Sequence, residues 1–161
     1  MPSPGYLWMK DSQGNNINST VKVKGRENSA EVYEFHHQVY IPTDEHTGSL
    51  SGTRKHTPFS IVKPFCSATP VLNKACCSGQ NLQEVKLSWY RIDDTGKEQE
   101  YLRQTLTNAK VVSIKPIVTD VKDKTKEHYG HLEEVQFRYE TIQWQYLDGN
   151  ISSQDTWTER T

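Results

Sequence analysis

The sequence predicts an all-β domain carrying one short helix, and three observations predict it. Apolar residues recur with a period of two over most of the chain. A single stretch has helical spacing framed by start and stop signals, and turn-forming residues separate the strand-like segments. The 161 residues suit one domain, 1–161, a length that buries roughly two-thirds of the unfolded surface. Apolar residues make up only 34%, yet four Trp, eight Tyr and four Phe supply the large rings that a disordered chain lacks. The composition therefore describes a folded domain with a polar surface, wet on more than one side.

The elements follow in order. In residues 30–41, Tyr33, Phe35, Val39 and Ile41 alternate with Glu34, His36 and Gln38, the pattern of a half-buried strand. Residues 42–55, "PTDEHTGSLSGTRK", are polar and too long for a tight turn, and connections of that length tend to be functional or mobile. The helix is expected over about 70–78. Thr69 suits the N-cap, Pro70 suits the first turn, Val71, Leu72 and Ala75 form the apolar stripe, and Gly79 terminates it. So short a helix draws its stability from packing.

Residues 84–92 form a strand with Val85, Leu87 and Trp89 facing inward. A turn at Asp93-Asp94-Thr95-Gly96 leads into a partner strand at 99–106. Residues 110–118 are richer in β-branched side chains, with Val112, Ile114 and Val118 in phase and Pro116 expected at a bulge or an edge. A second charged loop follows at 121–130. In residues 132–147 the apolar phase changes from odd (Val135, Phe137, Tyr139) to even (Ile142, Trp144, Tyr146), which is what a β-bulge produces, and the bend points to barrel-like curvature. Trp157 implies that the tail, 150–161, docks as a last strand.

Several function classes are disfavoured. Nineteen basic and twenty acidic residues are interleaved, without the basic stripe that phosphate neutralisation requires, so no nucleic-acid binding is expected. The start "MPSPGYLWMK" lacks the basic and apolar regions of a secretory signal, and no apolar run approaches membrane-spanning length, so no membrane insertion is expected. The sequons at Asn18 and Asn150 are therefore read as accidental.

Cys76 and Cys77, adjacent on a helix, point about 100° apart and sit at its negative end, which suits neither a shared metal nor an activated thiolate. They are read as small packing residues. The H-x-x-H spacing of His128 and His131 is interrupted by Gly130 and has no accompanying ligand pattern, and His36 and His37 fall on opposite strand faces. No nucleophile elbow or phosphate loop occurs, so no catalytic residue, metal or cofactor is assigned.

The run "GTRKHTPFSIVK" followed by "SATPVLNKACCSGQ" resembles the haemolysin-coregulated protein (Hcp) family, through His56, Pro58, Phe59, Thr69, Pro70, Ala75 and Gly79. The opening "YLWMKD", the segment "EVYEFHHQVYIPTDEHTGSLSGTR", the hairpin "KLSWYRIDDTGKEQEYL" and the closing "HLEEVQFRYETIQWQYLDGN" extend the resemblance over nearly the whole chain. It implies a two-sheet β-barrel with a helix on its flank. It also implies homo-hexameric rings that stack into the inner tube of the type VI secretion system, with sheath and spike proteins as partners and effectors in the lumen. The protein would stay in the cytoplasm until firing and leave without a signal peptide.

Relatives commonly carry Asp where this chain has Cys66, which leaves Cys66 the one cysteine in question. Combining residues and resemblance, the loop at 42–55 is assigned to ring stacking, with Thr43, Asp44, Glu45, Arg54 and Lys55 as polar contacts. The face bearing Glu34, His36 and Gln38 is assigned to the lumen or a ring interface, against the plainer reading of a solvent-facing strand. A small-ligand-binding β-barrel is the alternative from another class, and a hydrolytic enzyme comes third.

Overall fold

The computed structural model describes residues 3–128 and 130–157. The first two residues of the opening stretch, Tyr129 in the second charged loop and residues 158–161 of the expected terminal strand lie outside the described residues. The strands are β1 Gly5–Lys10, β2 Asn16–Ile17, β3 Ala30–Val32, β4 Glu34–His36, β5 Val39–Tyr40 and β6 Lys55–His56. They continue with β7 Phe59–Pro64, β8 Asn81–Ile92, β9 Glu98–Ile117, β10 Leu132–Arg138, β11 Thr141–Tyr146 and β12 Ile151–Thr156. The helix α1, Thr69–Ser78, joins β7 to β8.

β9, 20 residues long, organises the fold. Its first half pairs with β8 on one side and β11 on the other, with β12 outside β11. Its second half pairs with β10, which passes the sheet on to β7 and β4. The barrel closes through residues 30–36. Val32 pairs with Gly5 of β1, the Tyr33 N–H donates to Val62 O at 2.8 Å, and Glu34 pairs with Val62 of β7. One bent strand thus stitches β1 to β7, and closure removes both free edges at that seam.

Leu7, Phe59, Ile61, Leu87, Phe137 and Ile142 are fully buried and fill the interior, so the barrel encloses a packed core.

The bend corrects the expectation for residues 30–41. Ala30 and Val32 face inward, Tyr33 at the corner is 57% exposed, and Phe35 resumes packing against the core. Val39 and Ile41 are exposed as well, because the chain leaves the barrel after His37. The phase change expected in 132–147 is present, but as a break between two strands. β8 and β9 shift phase at the same level: buried Leu82 gives way to Val85, and buried Ala109 to Leu106 in its partner, with Asn108 at φ 54°. Three neighbouring strands turn together, keeping one core continuous across the kink.

Val112 and Val118 are exposed, contrary to the expected phase: a register shift against Gln136 and Phe137 leaves Val112 without a partner and turns Val111 inward, and Val118 lies beyond the end of β9. Pro116 pairs with Glu133 on one side, beyond the last residue of β9 that β8 reaches, so it sits on an edge as expected.

The helix begins one residue earlier than Thr69 as N-cap implies. Ala68 occupies the cap position with no side-chain bond, and the Thr69 hydroxyl accepts the Cys66 N–H at 3.1 Å while donating to Glu133 at 2.8 Å. Tertiary partners have drawn the hydroxyl away from capping. Gly79 ends the helix at φ 66°, as expected. Leu72 and Ala75 are buried, whereas Val71 is exposed. Cys76 packs against the core, but Cys77 is exposed and does not pack.

Candidate functional site

The feature that leaves the barrel is a hairpin arm. β5 and β6 pair Val39 with His56 and Tyr40 with Lys55, and a further bridge joins Thr43 to Leu50. At the tip the Asp44 carboxylate accepts the N–H groups of His46 (2.8 Å) and Thr47 (3.0 Å), and Gly48 takes φ 72°. Those bonds hold the Asp44 carboxyl below its ordinary value. The expected polar loop is therefore an ordered projection. Its surface is partly apolar: Val39, Tyr40 and Ile41 are exposed, and Leu50 is 66% exposed.

The arm's base is tied to the barrel by a hydrogen-bonded relay. His56, 3% exposed, contacts Asp155 Oδ2 through Nε2 at 2.6 Å and Tyr139 Oη through Nδ1 at 2.6 Å. Tyr139 Oη also meets His37 Nε2 at 2.8 Å. One proton assignment satisfies every contact with both imidazoles neutral: His56 Nε2–H donates to the carboxylate, Tyr139 O–H donates to His56 Nδ1, and His37 Nε2–H donates to Tyr139.

Burial pushes the His37 pKa down to about 4, with His56 adding to the shift, so His37 is neutral at pH 7. Burial and the Asp155 carboxylate push the Tyr139 hydroxyl up, which keeps its proton in place. Burial opposes ionisation of Asp155, but the bonds from Arg54 and His56 outweigh it and hold the carboxyl below its usual range. The Trp157 ring lies 4.9 Å from that of His56, and Arg138 donates to His56 O at 2.8 Å.

The relay also engages one of the residues assigned to stacking. Arg54, assigned to an outward stacking contact, turns back to Asp155 at 2.6 Å and to Thr156 O at 2.8 Å. A carboxylate and a backbone carbonyl offer the guanidinium a better-defined seat than solvent does. Thr43, Asp44, Glu45 and Lys55 are on the arm, with Glu45 and Lys55 exposed. Asp155, Tyr139 and Arg138 escaped sequence reasoning because each is remote from the arm in sequence. The odd-phase Tyr139 at the break was the only signal.

Glu34, His36 and Gln38 do share a surface region. Glu34 and His36 contact each other at 2.6 Å, and His36 and Gln38 border a shallow cleft that continues over Ser60, Glu134 and Gln136. The register His36, Ser60, Gln136, Ser113 runs this polar strip across β4, β7, β10 and β9. The motif residues His56, Phe59, Thr69, Ala75 and Gly79 are structural: an anchor, a core ring, a bridge to Glu133, a helix-packing contact and a helix stop. Pro70 takes the helix start, and Pro58 lines the cleft. Among the described residues no group of three or more His, Cys, Asp and Glu could hold a metal ion.

A family model described as "Type VI secretion system effector, Hcp" matches residues 6–146. The "Major exported protein" of Pseudomonas aeruginosa is 35% identical over 148 residues, which is 92% of this chain and 83% of that protein. Among solved structures, a mutant Hcp1 of Escherichia coli pathovar EAEC 042 is 45% identical, with a TM-score of 0.86 and coverage of 96% of this chain and 99% of that one. Secreted protein Hcp3 of Pseudomonas aeruginosa is 29% identical, with a TM-score of 0.78 and coverage of 98% and 99%.

Proposed function

The chain belongs to the haemolysin-coregulated protein family and is a tube subunit of the type VI secretion system, and from that premise we propose how its surfaces divide the work. The arm at 42–55 carries the contact that stacks one ring on the next. The observation behind this reading is its order combined with its exposure: Val39, Tyr40, Ile41 and Leu50 present apolar surface on a braced projection. Such surface is costly in water until a second copy covers it. Thr43, Asp44, Glu45 and Lys55 form the polar rim, while Arg54 and the His56 relay fix the arm's angle.

The strip of Glu34, His36 and Gln38, continued by Ser60, Glu134 and Gln136, lines the ring lumen and meets effector cargo. Homo-hexameric rings, stacked into a tube, would then engage sheath and spike proteins and stay in the cytoplasm until the machine fires. The packed interior gives no support to a small-ligand barrel.

Removing residues 43–51 tests the stacking role. Because Ser51 N–H already donates to Pro42 O at 2.8 Å, the deletion joins points that lie close together and should spare the barrel. Soluble rings without tubes under the electron microscope are expected. Tubes of normal length would overturn the assignment.

A further inference from the structure

Lys63 and Glu133 form an ion pair with both side chains fully buried, at the end of the barrel where the chain turns from β7 into the helix. The Lys63 ammonium also donates to Pro64 O at 3.4 Å and to Cys66 Sγ at 3.1 Å. A buried ammonium cannot turn to water for another partner, so the cation stands fixed beside the sulfur. The backbone of Cys66 is fixed too, by its N–H bond to Thr69 Oγ1 at 3.1 Å.

Cys66 lines a cavity of about 270 Å³ whose walls also include Tyr6, Ser19, Val21, Ala30 and Pro64. Ser19 is 8% exposed, and its hydroxyl satisfies no hydrogen bond among the described residues. A buried hydroxyl left unsatisfied costs free energy, and the acceptor this one gains is the Cys66 sulfur once it ionises. Burial by itself would raise the Cys66 thiol. The Ser19 hydroxyl, the Lys63 ammonium and the Ala68 backbone together outweigh it and hold the thiol below its ordinary value.

We propose that Cys66 is a thiol modification site: with the fixed Lys63 ammonium and the buried Ser19 hydroxyl beside it, at a cavity sized for a small molecule, it exchanges with low-molecular-weight disulfides. In the step, the Cys66 thiolate attacks one sulfur of RS–SR. A new Cys66–S–SR bond forms, the RS–SR bond breaks, and the other sulfur leaves as RS⁻, which takes a proton from water. One sulfur of the small disulfide falls to the thiolate level as the Cys66 sulfur rises to the disulfide level, so one disulfide replaces another without a further oxidant, and the adduct remains reversible by any thiol that can enter. This site is independent of the stacking arm and the lumen strip.

The protein supplies its own control in Cys77, an exposed thiol at the far end of the same helix. Purified protein is incubated with bis(2-hydroxyethyl) disulfide from about pH 6 to pH 9, and the modified cysteine is identified by peptide mass mapping. Cys66 is expected to react faster than Cys77 towards the acid end of that range, with a rate that falls later as pH drops. Ser19→Ala should slow Cys66 several-fold at neutral pH while leaving the Cys77 rate and the unfolding midpoint unchanged. Double replacement of Cys76 and Cys77 by Ser should leave the Cys66 adduct intact. The proposal is overturned if Cys66 stays unmodified while Cys77 reacts, if both follow one pH profile, or if Ser19→Ala has no effect on Cys66.

Discussion

His56 and Asp155, ninety-nine positions apart, meet at 2.6 Å between Nε2 and Oδ2, and that contact fastens the hairpin arm to the terminal strand β12. The imidazole is almost wholly buried, so the bond forms where water does not compete for it. Replacing His56 by Ala takes one hydrogen-bond partner from each of Tyr139 and Asp155 and empties a buried site. The expected loss is about 3 kcal/mol of unfolding free energy, read from urea denaturation, with Asp155→Asn costing about 1 kcal/mol. A His56→Ala protein as stable as the parent would show that the relay holds nothing.

The Lys63–Glu133 pair should behave asymmetrically. Lys63→Met strands a buried carboxylate, one of whose oxygens already lacks a partner, and roughly 3–5 kcal/mol should be lost. The double variant Lys63→Met, Glu133→Leu should recover most of that loss, since it removes both desolvated charges. A denaturant double-mutant cycle reads the difference, and additive losses would contradict it.

Gly79 closes the helix at φ 66° with nothing within 4 Å of an added Cβ. The cost of Gly79→Ala is therefore backbone strain alone, about 1 kcal/mol, visible as a lower denaturation midpoint with unchanged m-value. A larger loss would point to packing that the open surroundings do not contain.

Acid should loosen the arm's anchor in two stages. His37 has a folded pKa of about 4 against an ordinary 6.5, so between those values the unfolded chain binds more protons and stability declines as pH falls. The Asp155 carboxyl lies below its ordinary value, so its contribution is present above the usual carboxylate range and is lost only as pH drops through its lower folded value. Unfolding midpoints measured from pH 7 to pH 4 should fall for the parent, and fall less for His37→Gln. Parallel curves for the two proteins would remove His37 from the explanation.

Much of this architecture was legible because its causes are local. Alternation exposed the strands, Gly96 at φ 83° and Gly79 marked the turn and the helix stop, and the odd-to-even change in 132–147 announced a bend. Ordered motifs such as His56, Pro58 and Phe59, followed by Thr69, Pro70 and Gly79, carried the family resemblance that the match over residues 6–146 bears out.

The remainder depended on groups that meet only in three dimensions. Sequence could place Arg54 on the arm, but the seat that turns it inward belongs to Asp155 and Thr156, on a strand added last. It could propose Thr69 as a cap, but Glu133 and the Cys66 N–H claim the hydroxyl. It gave Tyr33 the inward phase, but closing the barrel bends the strand at that residue and turns its ring to water. Periodicity and turn chemistry act over a few neighbouring residues, so the amino-acid order by itself determined the elements. The partners of buried polar groups are chosen by desolvation at contacts remote in sequence, and those only the tertiary structure decided.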